Sequence, residues 1–486
     1  MKRRPTAAST PSSSSMSIPF GSSDESGTSG SGDNDVSERQ SLVFSLELFH
    51  DDDDDNYNAT NEHKHATARP SPSPSSAGKI SSLQASASIA KAIMGAGSFS
   101  LPWAFAQTGY VAGPILMLVM ACLSVSLLKT LVRCRRLLHG TNASYVDVAR
   151  AAFGDTGAKI VYCASISASV GVCGSYLVFI AASLVTLMPD AYAHVLGQTQ
   201  LVLLILPAAV LLSSVRDSNR FAFTALLGDA SVLLGMAVVM IYGFIYRDDE
   251  DFDNEESSSD KGVVTFGSID GFALAFGAVG FLFFIHFLVL PIEGSMKHPE
   301  NFDLVVSLTF LGCAVISALF GVAGYFFFGN KTEQIVILNI KGSFFVSSVK
   351  LLLCIDLLFT YPVVMRPSLE TLEQSLSRSG SEQSRLVVCS GLGAIAAGAG
   401  IFIPAFALLS GLVGGVFQTF LAFVTPPLML QSLRRGNCDT KNACRGLSKT
   451  PNSCDEMKTF ACVSFGAGMI LWTIGSTWSE LRLAKA

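Results

Sequence analysis

Charge is what this sequence has least of. Asp, Glu, Lys and Arg make up 15% of its 486 residues, whereas hydrophobic residues make up 50%. Globular domains in water carry about 25% charged residues, so this composition points to a polytopic membrane protein. The balance is mildly acidic, with a net charge of -5, which lacks the basic footprint of a nucleic-acid-binding protein. Enzyme signatures are missing as well: there is no His-Glu-x-x-His, no Gly-x-Ser-x-Gly and no paired carboxylate and histidine cluster in the apolar segments. The eleven cysteines are scattered, and Cys438, Cys444 and Cys454 share a loop without the short paired spacing of a zinc site. They read as free thiols, and neither a metal nor a cofactor is expected. No helical segment shows the repeated polar face of a water-filled channel. The opening Met1-Lys-Arg-Arg-Pro runs into Ser, Thr and Pro without an apolar core, so no signal peptide is expected.

What is present in abundance is long apolar segments. Residues 1–79 are rich in Ser, Pro, Gly and Asp and read as a disordered tail, with a short apolar patch at Leu42–Phe49. Eleven segments of spanning length follow, at about 82–107, 111–133, 157–188, 199–215, 220–246, 270–292, 302–328, 345–373, 386–403, 405–433 and 458–479. The expected architecture is an all-α bundle over residues 80–480 with a short end at 481–486. Loop charges set its orientation. Arg133, Arg135, Arg136, Arg216, Lys297, Arg378, Arg434 and Arg435 fall in alternate connections, against only Arg247, Lys261, Lys331 and Lys341 in the others. The positive-inside rule places the N-terminal tail in the cytosol and the C-terminus on the opposite side. Asn330-Lys-Thr332, a glycosylation sequon, falls on that opposite side.

One segment departs from a plain membrane helix. Lys91-Ala-Ile-Met-Gly95-Ala-Gly97-Ser-Phe-Ser-Leu-Pro102 is apolar enough to span, yet a Gly-x-Gly step and a proline interrupt it. Unpaired backbone groups at membrane depth are tolerated only beside a cavity or ligand, and many secondary transporters bind zwitterions at such a broken helix. A small-residue packing seam is the competing explanation.

Several segments, in order, resemble the amino acid/auxin permease family. Gly95-Ala-Gly-Ser-Phe-Ser-Leu-Pro-Trp-Ala-Phe-Ala-Gln-Thr-Gly109 is similar to its first-helix signature, Leu290-Pro-Ile-Glu-Gly-Ser-Met-Lys-His-Pro299 to the end of its sixth helix, and Gly324-Tyr-Phe-Phe-Phe-Gly329 with Leu338-Asn339 to its seventh. Gly228-Asp229, Leu353–Pro362 and Gly475-Ser-Thr-Trp478 look most like the vacuolar neutral amino acid transporters of plants and fungi. The resemblance implies a transporter, not an enzyme. Helices one to five are matched by six to ten in an inverted repeat, with one further helix. An amino acid substrate, linked protons, a surrounding bilayer and a vacuolar membrane are implied with it.

On that pattern, the N–H groups at Gly95, Ala96, Gly97 and Ser98 would take the substrate carboxylate. Many relatives read Phe-Glu-Gly-His in helix six where this chain reads Phe283-Phe284-Ile285-His286. The acidic residue and the glycine are absent, so this segment supplies neither a residue suited to unwinding nor a side chain for the ammonium. Phe281 and Phe284 offer an aromatic pocket wall instead, with lipid-facing or core packing as the competing explanation. Charges inside membrane helices are expensive, which singles out Lys91, Asp229 and Asp356 for proton coupling, with His286 as a further protonatable group. Lys91 stands where sodium-coupled relatives tend to have Asn. Glu293 falls at the expected cytosolic mouth, as a gate ion pair or a solvated helix end. The second functional class to weigh is an amino acid sensor signalling through the tail.

Overall fold

The computed structural model describes residues 80–138, 143–189, 196–215, 222–250, 263–340, 344–375, 382–435 and 453–483. The tail at 1–79 lies outside them, as does the end of the chain beyond 483. Among the described residues the fold is all-α. Eight helices among the described residues are long and apolar enough to cross a membrane. Two shorter apolar helices and a first span split in two fill the remaining places expected of the eleven segments.

The first span is α1 (Ser82–Ile93), a 3₁₀ turn at Ala96–Ser100, and α2 (Leu101–Thr108). A capping box between Ser81 and Gln84 starts α1, satisfying the backbone donors that a helix start leaves free. Then come α3 (Ala112–Leu137), α4 (Tyr145–Leu187), α5 (Gln198–Ser214) and α6 (Ala222–Glu250). The second repeat opens with α7 (Ile269–Phe283) and α8 (His286–Ser295), and continues through α9 (Phe302–Phe328), α10 (Phe344–Ser375) and α11 (Glu382–Phe402). The tenth span is α12 (Phe406–Leu412), π-helical segments at Val413–Gln418 and Phe420–Val424, and α13 (Thr425–Arg434). The last helix is α14 (Ser453–Leu483).

Three differences from the sequence pattern stand out. Helix six is broken, which its sequence did not call for. The third span has a leading helical piece: Gly154, at φ 72, separates Tyr145–Phe153 from the rest of α4. Positive φ suits glycine because it has no β-carbon to clash. The tenth span is π-helical at its middle, just before Pro426 and Pro427, which cannot donate backbone hydrogen bonds. Side chains compensate there: Thr425 Oγ1 donates to the Leu421 carbonyl at 2.9 Å, and the Tyr145 hydroxyl reaches both groups.

The helices pack so that α2 lies against α7 and α9, α1 against α9, and α7 against α12 and the π-helical segment. One side of α9 shows Leu304, Leu308, Leu311, Val315 and Leu319 exposed at helical spacing, the face a bilayer would cover. Arg434 and Arg435 at the end of α13 pair with Asp455 and Glu456 at the start of α14. A cavity of about 300 Å³ joins these ends to Arg133 of α3. The arginine-rich ends of α3 and α13 and the acidic start of α14 thus share one end of the bundle.

Candidate functional site

The last turn of α7 packs on a break in the first span, and α7 itself ends at a second break. In the first, α1 ends at Met94 (φ -87, ψ 88) and Gly95 runs extended (φ -134, ψ -155). The turn that follows closes with the Ser98 N–H donating to the Gly95 carbonyl at 3.0 Å. The N–H groups of Ala96 and Gly97 precede that first bond, so no acceptor within the turn reaches them. Ala96, Gly97 and Ser98 are all buried. The Ser98 hydroxyl is buried without a hydrogen-bond partner, and a β-carbon on Gly95 would meet no atom within 4 Å. Open space beside Gly95 and uncommitted donors at Ala96–Ser98 therefore fall within four residues of chain.

In the second, α7 stops at Phe283, and Phe284 (φ -94, ψ 56) and Ile285 (φ -82, ψ 26) leave helical geometry before α8. No glycine is needed because neither residue takes a positive φ. The freed carbonyl of Phe283 accepts a buried hydrogen bond from Ser124 Oγ of α3 at 2.7 Å. That partner lies 159 residues away, so no local sequence signal could reveal it.

The two phenylalanines singled out in helix six have different surroundings. Phe281 borders the first break: its Cδ1 would stand 2.8 Å from a β-carbon on Gly97, as would that of Leu282. Phe284 packs with Phe276 and Phe423, with ring centroids 5.9 Å and 5.2 Å away, on the side of the tenth span. Phe99, within the broken turn, sits edge-on to Phe179 of α4 and Phe320 of α9.

The protonatable groups fall on four different helices. Lys91 lies half-buried in the last turn of α1, where unpaired helix-end carbonyls favour a cation. Asp356, half-buried on α10, accepts from Thr360 Oγ1 at 3.3 Å. Since α10 packs mainly on α4, α6 and α5 while α1 packs on α9 and α8, Lys91 and Asp356 do not share a principal helix interface. Asp229 falls on α6 where side chains lie outside the described residues. His286 opens α8 fully buried, with neither ring nitrogen hydrogen-bonded. Asn330 is exposed in a 3₁₀ turn after α9.

Glu293 is the residue whose role the structure sharpens. It is 2% exposed and lies between Arg135 and Arg136 of α3, with Arg136 at 3.0 Å. Arg135 also donates to the Leu290 carbonyl at 2.6 Å, and Arg136 to that of Pro299 at 2.9 Å. Of the two expectations for Glu293, the ion pair is the one formed.

Two repeats, each opening on a broken helix, define a five-plus-five inverted-repeat transporter. The fold is shared by Mhp1, a nucleobase-cation-symport-1 family transporter solved in a closed conformation with bromovinylhydantoin bound: TM-score 0.51, 14% identity, covering 83% of this chain and 96% of that one. Residues 78–477 match the family model described as transmembrane amino acid transporter protein. The amino acid transporter AVT3C of Arabidopsis thaliana is 30% identical over 372 residues, 72% of this chain and 82% of that protein. Vacuolar amino acid transporter 3 of Schizosaccharomyces pombe is 25% identical over 320 residues, 64% of this chain and 46% of that protein. The chain belongs to the transmembrane amino acid transporter family, a family of transporters and not of enzymes.

Proposed function

We propose that this chain carries neutral amino acids across a vacuolar membrane, linked to protons, by alternating access around its broken first helix. The observation that carries the reading is the coincidence at Gly95–Ser98 of open space, two N–H groups outside the turn's own bonding and a buried, unpartnered hydroxyl. A carboxylate satisfies such donors, and their position at the start of a helical segment adds the favourable end of its dipole. Phe281 and Leu282 give the opposite wall an apolar surface, which suits an uncharged side chain. The relatives named as amino acid transporters, one of them vacuolar, support the substrate class and the membrane.

Proton linkage rests on Lys91, Asp229, Asp356 and His286. Lys91 supplies an amino group beside the break, and His286 supplies a buried imidazole at the second break with both nitrogens uncommitted. The tail is cytosolic in this reading, and Asn330 faces the opposite compartment and carries a glycan. Protease protection on sealed vesicles and a glycosidase shift removed by Asn330→Gln test that topology. A glycan on Asn142 instead would reverse it. Transport itself is tested with purified protein in liposomes: labelled neutral amino acid accumulates if the protein is a carrier, whereas binding without flux favours a sensor.

A further inference from the structure

Ile80, two residues before the first half-helix, is bound to the last residues of the second broken pair. Ile80 N–H donates to the Ser295 carbonyl at 3.1 Å, and Lys297 N–H donates to the Ile80 carbonyl at 2.9 Å. Together these make a parallel bridge between Ile80 and Met296, and both side chains are buried in one apolar cluster. Only Ser81 separates Ile80 from α1, and its capping box fixes that junction. Three residues before Met296, Glu293 is held by Arg135 and Arg136. The outer ends of α1 and α8 are therefore fastened to each other, while their inner ends stop at the two breaks, Gly95 and Phe284–Ile285.

We infer that Ile80 is a positioning residue that makes α1 and α8 move as one lever during the transport cycle, hinged at the two breaks. A half-helix tied only at its inner end could swing away alone. Here that would strip two backbone hydrogen bonds and two buried apolar side chains from each other. The alternative that keeps every bond is joint motion of both half-helices. The tail at 1–79 joins the chain at this same residue, so force or binding on the tail reaches both half-helices through one point.

The inference rests on the transport reading, and one experiment separates the two. Ile80→Cys and Met296→Cys are introduced together into the full chain, since bridge partners of this kind stand at disulfide distance. Oxidation should crosslink them, and the oxidised protein should keep its flux to within about twofold of the reduced form. Failure to crosslink, or arrest of flux on oxidation with recovery on reduction, overturns the lever. Absence of flux in the wild-type protein would instead fail the transport reading, with crosslinking still reporting the bridge. A second variant, Ile80→Pro, removes the donor to Ser295. It should lower the maximal rate by roughly tenfold while leaving KM and membrane insertion in place; an unchanged rate overturns the proposal.

Discussion

Gly97 lies directly against Phe281: a β-carbon built on the glycine would stand 2.8 Å from the ring's Cδ1 and equally close to Leu282. This contact joins the two broken helices at the point where the first turn's N–H groups are free. A β-branched side chain there must displace both neighbours and fill the space beside them. Gly97→Val should abolish flux with protein still in the membrane. Gly97→Ala should be partly active and regain activity when combined with Phe281→Ala, because residues in contact are non-additive. Simple addition of the two losses would show that the contact does not limit transport.

Gly95 makes a contrasting prediction. Its backbone is extended and a β-carbon meets nothing within 4 Å, so alanine fits without strain. Gly95→Ala should leave thermal stability unchanged but raise KM by about tenfold, the scale of a single misplaced methyl in a binding pocket. An unchanged KM would mean that the open space is not where substrate sits.

Glu293 and Arg135 are buried together, at 2% and 5% side-chain exposure. Removing one partner strands the other charge, at about 3–5 kcal/mol, whereas replacing both with apolar residues is far milder. Glu293→Gln should therefore lower the melting temperature in detergent more than Glu293→Leu combined with Arg135→Met. Equal losses would place the ion pair outside the folded state's main supports.

Helix seven was legible because Phe302–Phe328 is an unbroken apolar run that ends at Gly329, whose φ of 56 suits glycine. The first break was legible because Gly95, Gly97 and Pro102 announce it within eight residues of sequence. The second was not: Phe283-Phe284-Ile285-His286 carries no such residue, and its freed carbonyl is satisfied by Ser124 from another helix. Local chemistry encodes a break made by glycine, but a break sustained by a tertiary hydrogen bond is invisible along the chain. The helical piece before Gly154 did leave a signal, since Ser144 and Asp147 form a capping box at the spacing that marks a helix start. The ties of α8 to Ile80, Arg135 and Arg136 pair residues distant in sequence, so they emerge only from the fold.

Lys91 tests the coupling. If its charge replaces a sodium ion, uptake should be indifferent to replacing sodium with choline and should respond to an imposed pH gradient. Lys91→Ala should lose the pH response while retaining exchange. Asp356→Asn should act in the same direction, and the double variant should be less impaired than the two losses summed if the residues are coupled. Strict sodium dependence, or an unaltered pH response in Lys91→Ala, would leave Lys91 as a helix-end charge only.

The central claim is that the broken first helix carries amino acids across the bilayer. The direct measurement is flux of a panel of labelled amino acids into liposomes containing the purified full chain, with and without a pH gradient. The account predicts saturable accumulation of neutral amino acids that increases with the gradient and disappears in Gly97→Val. Binding without flux, or flux unaffected by Gly97→Val, would contradict it.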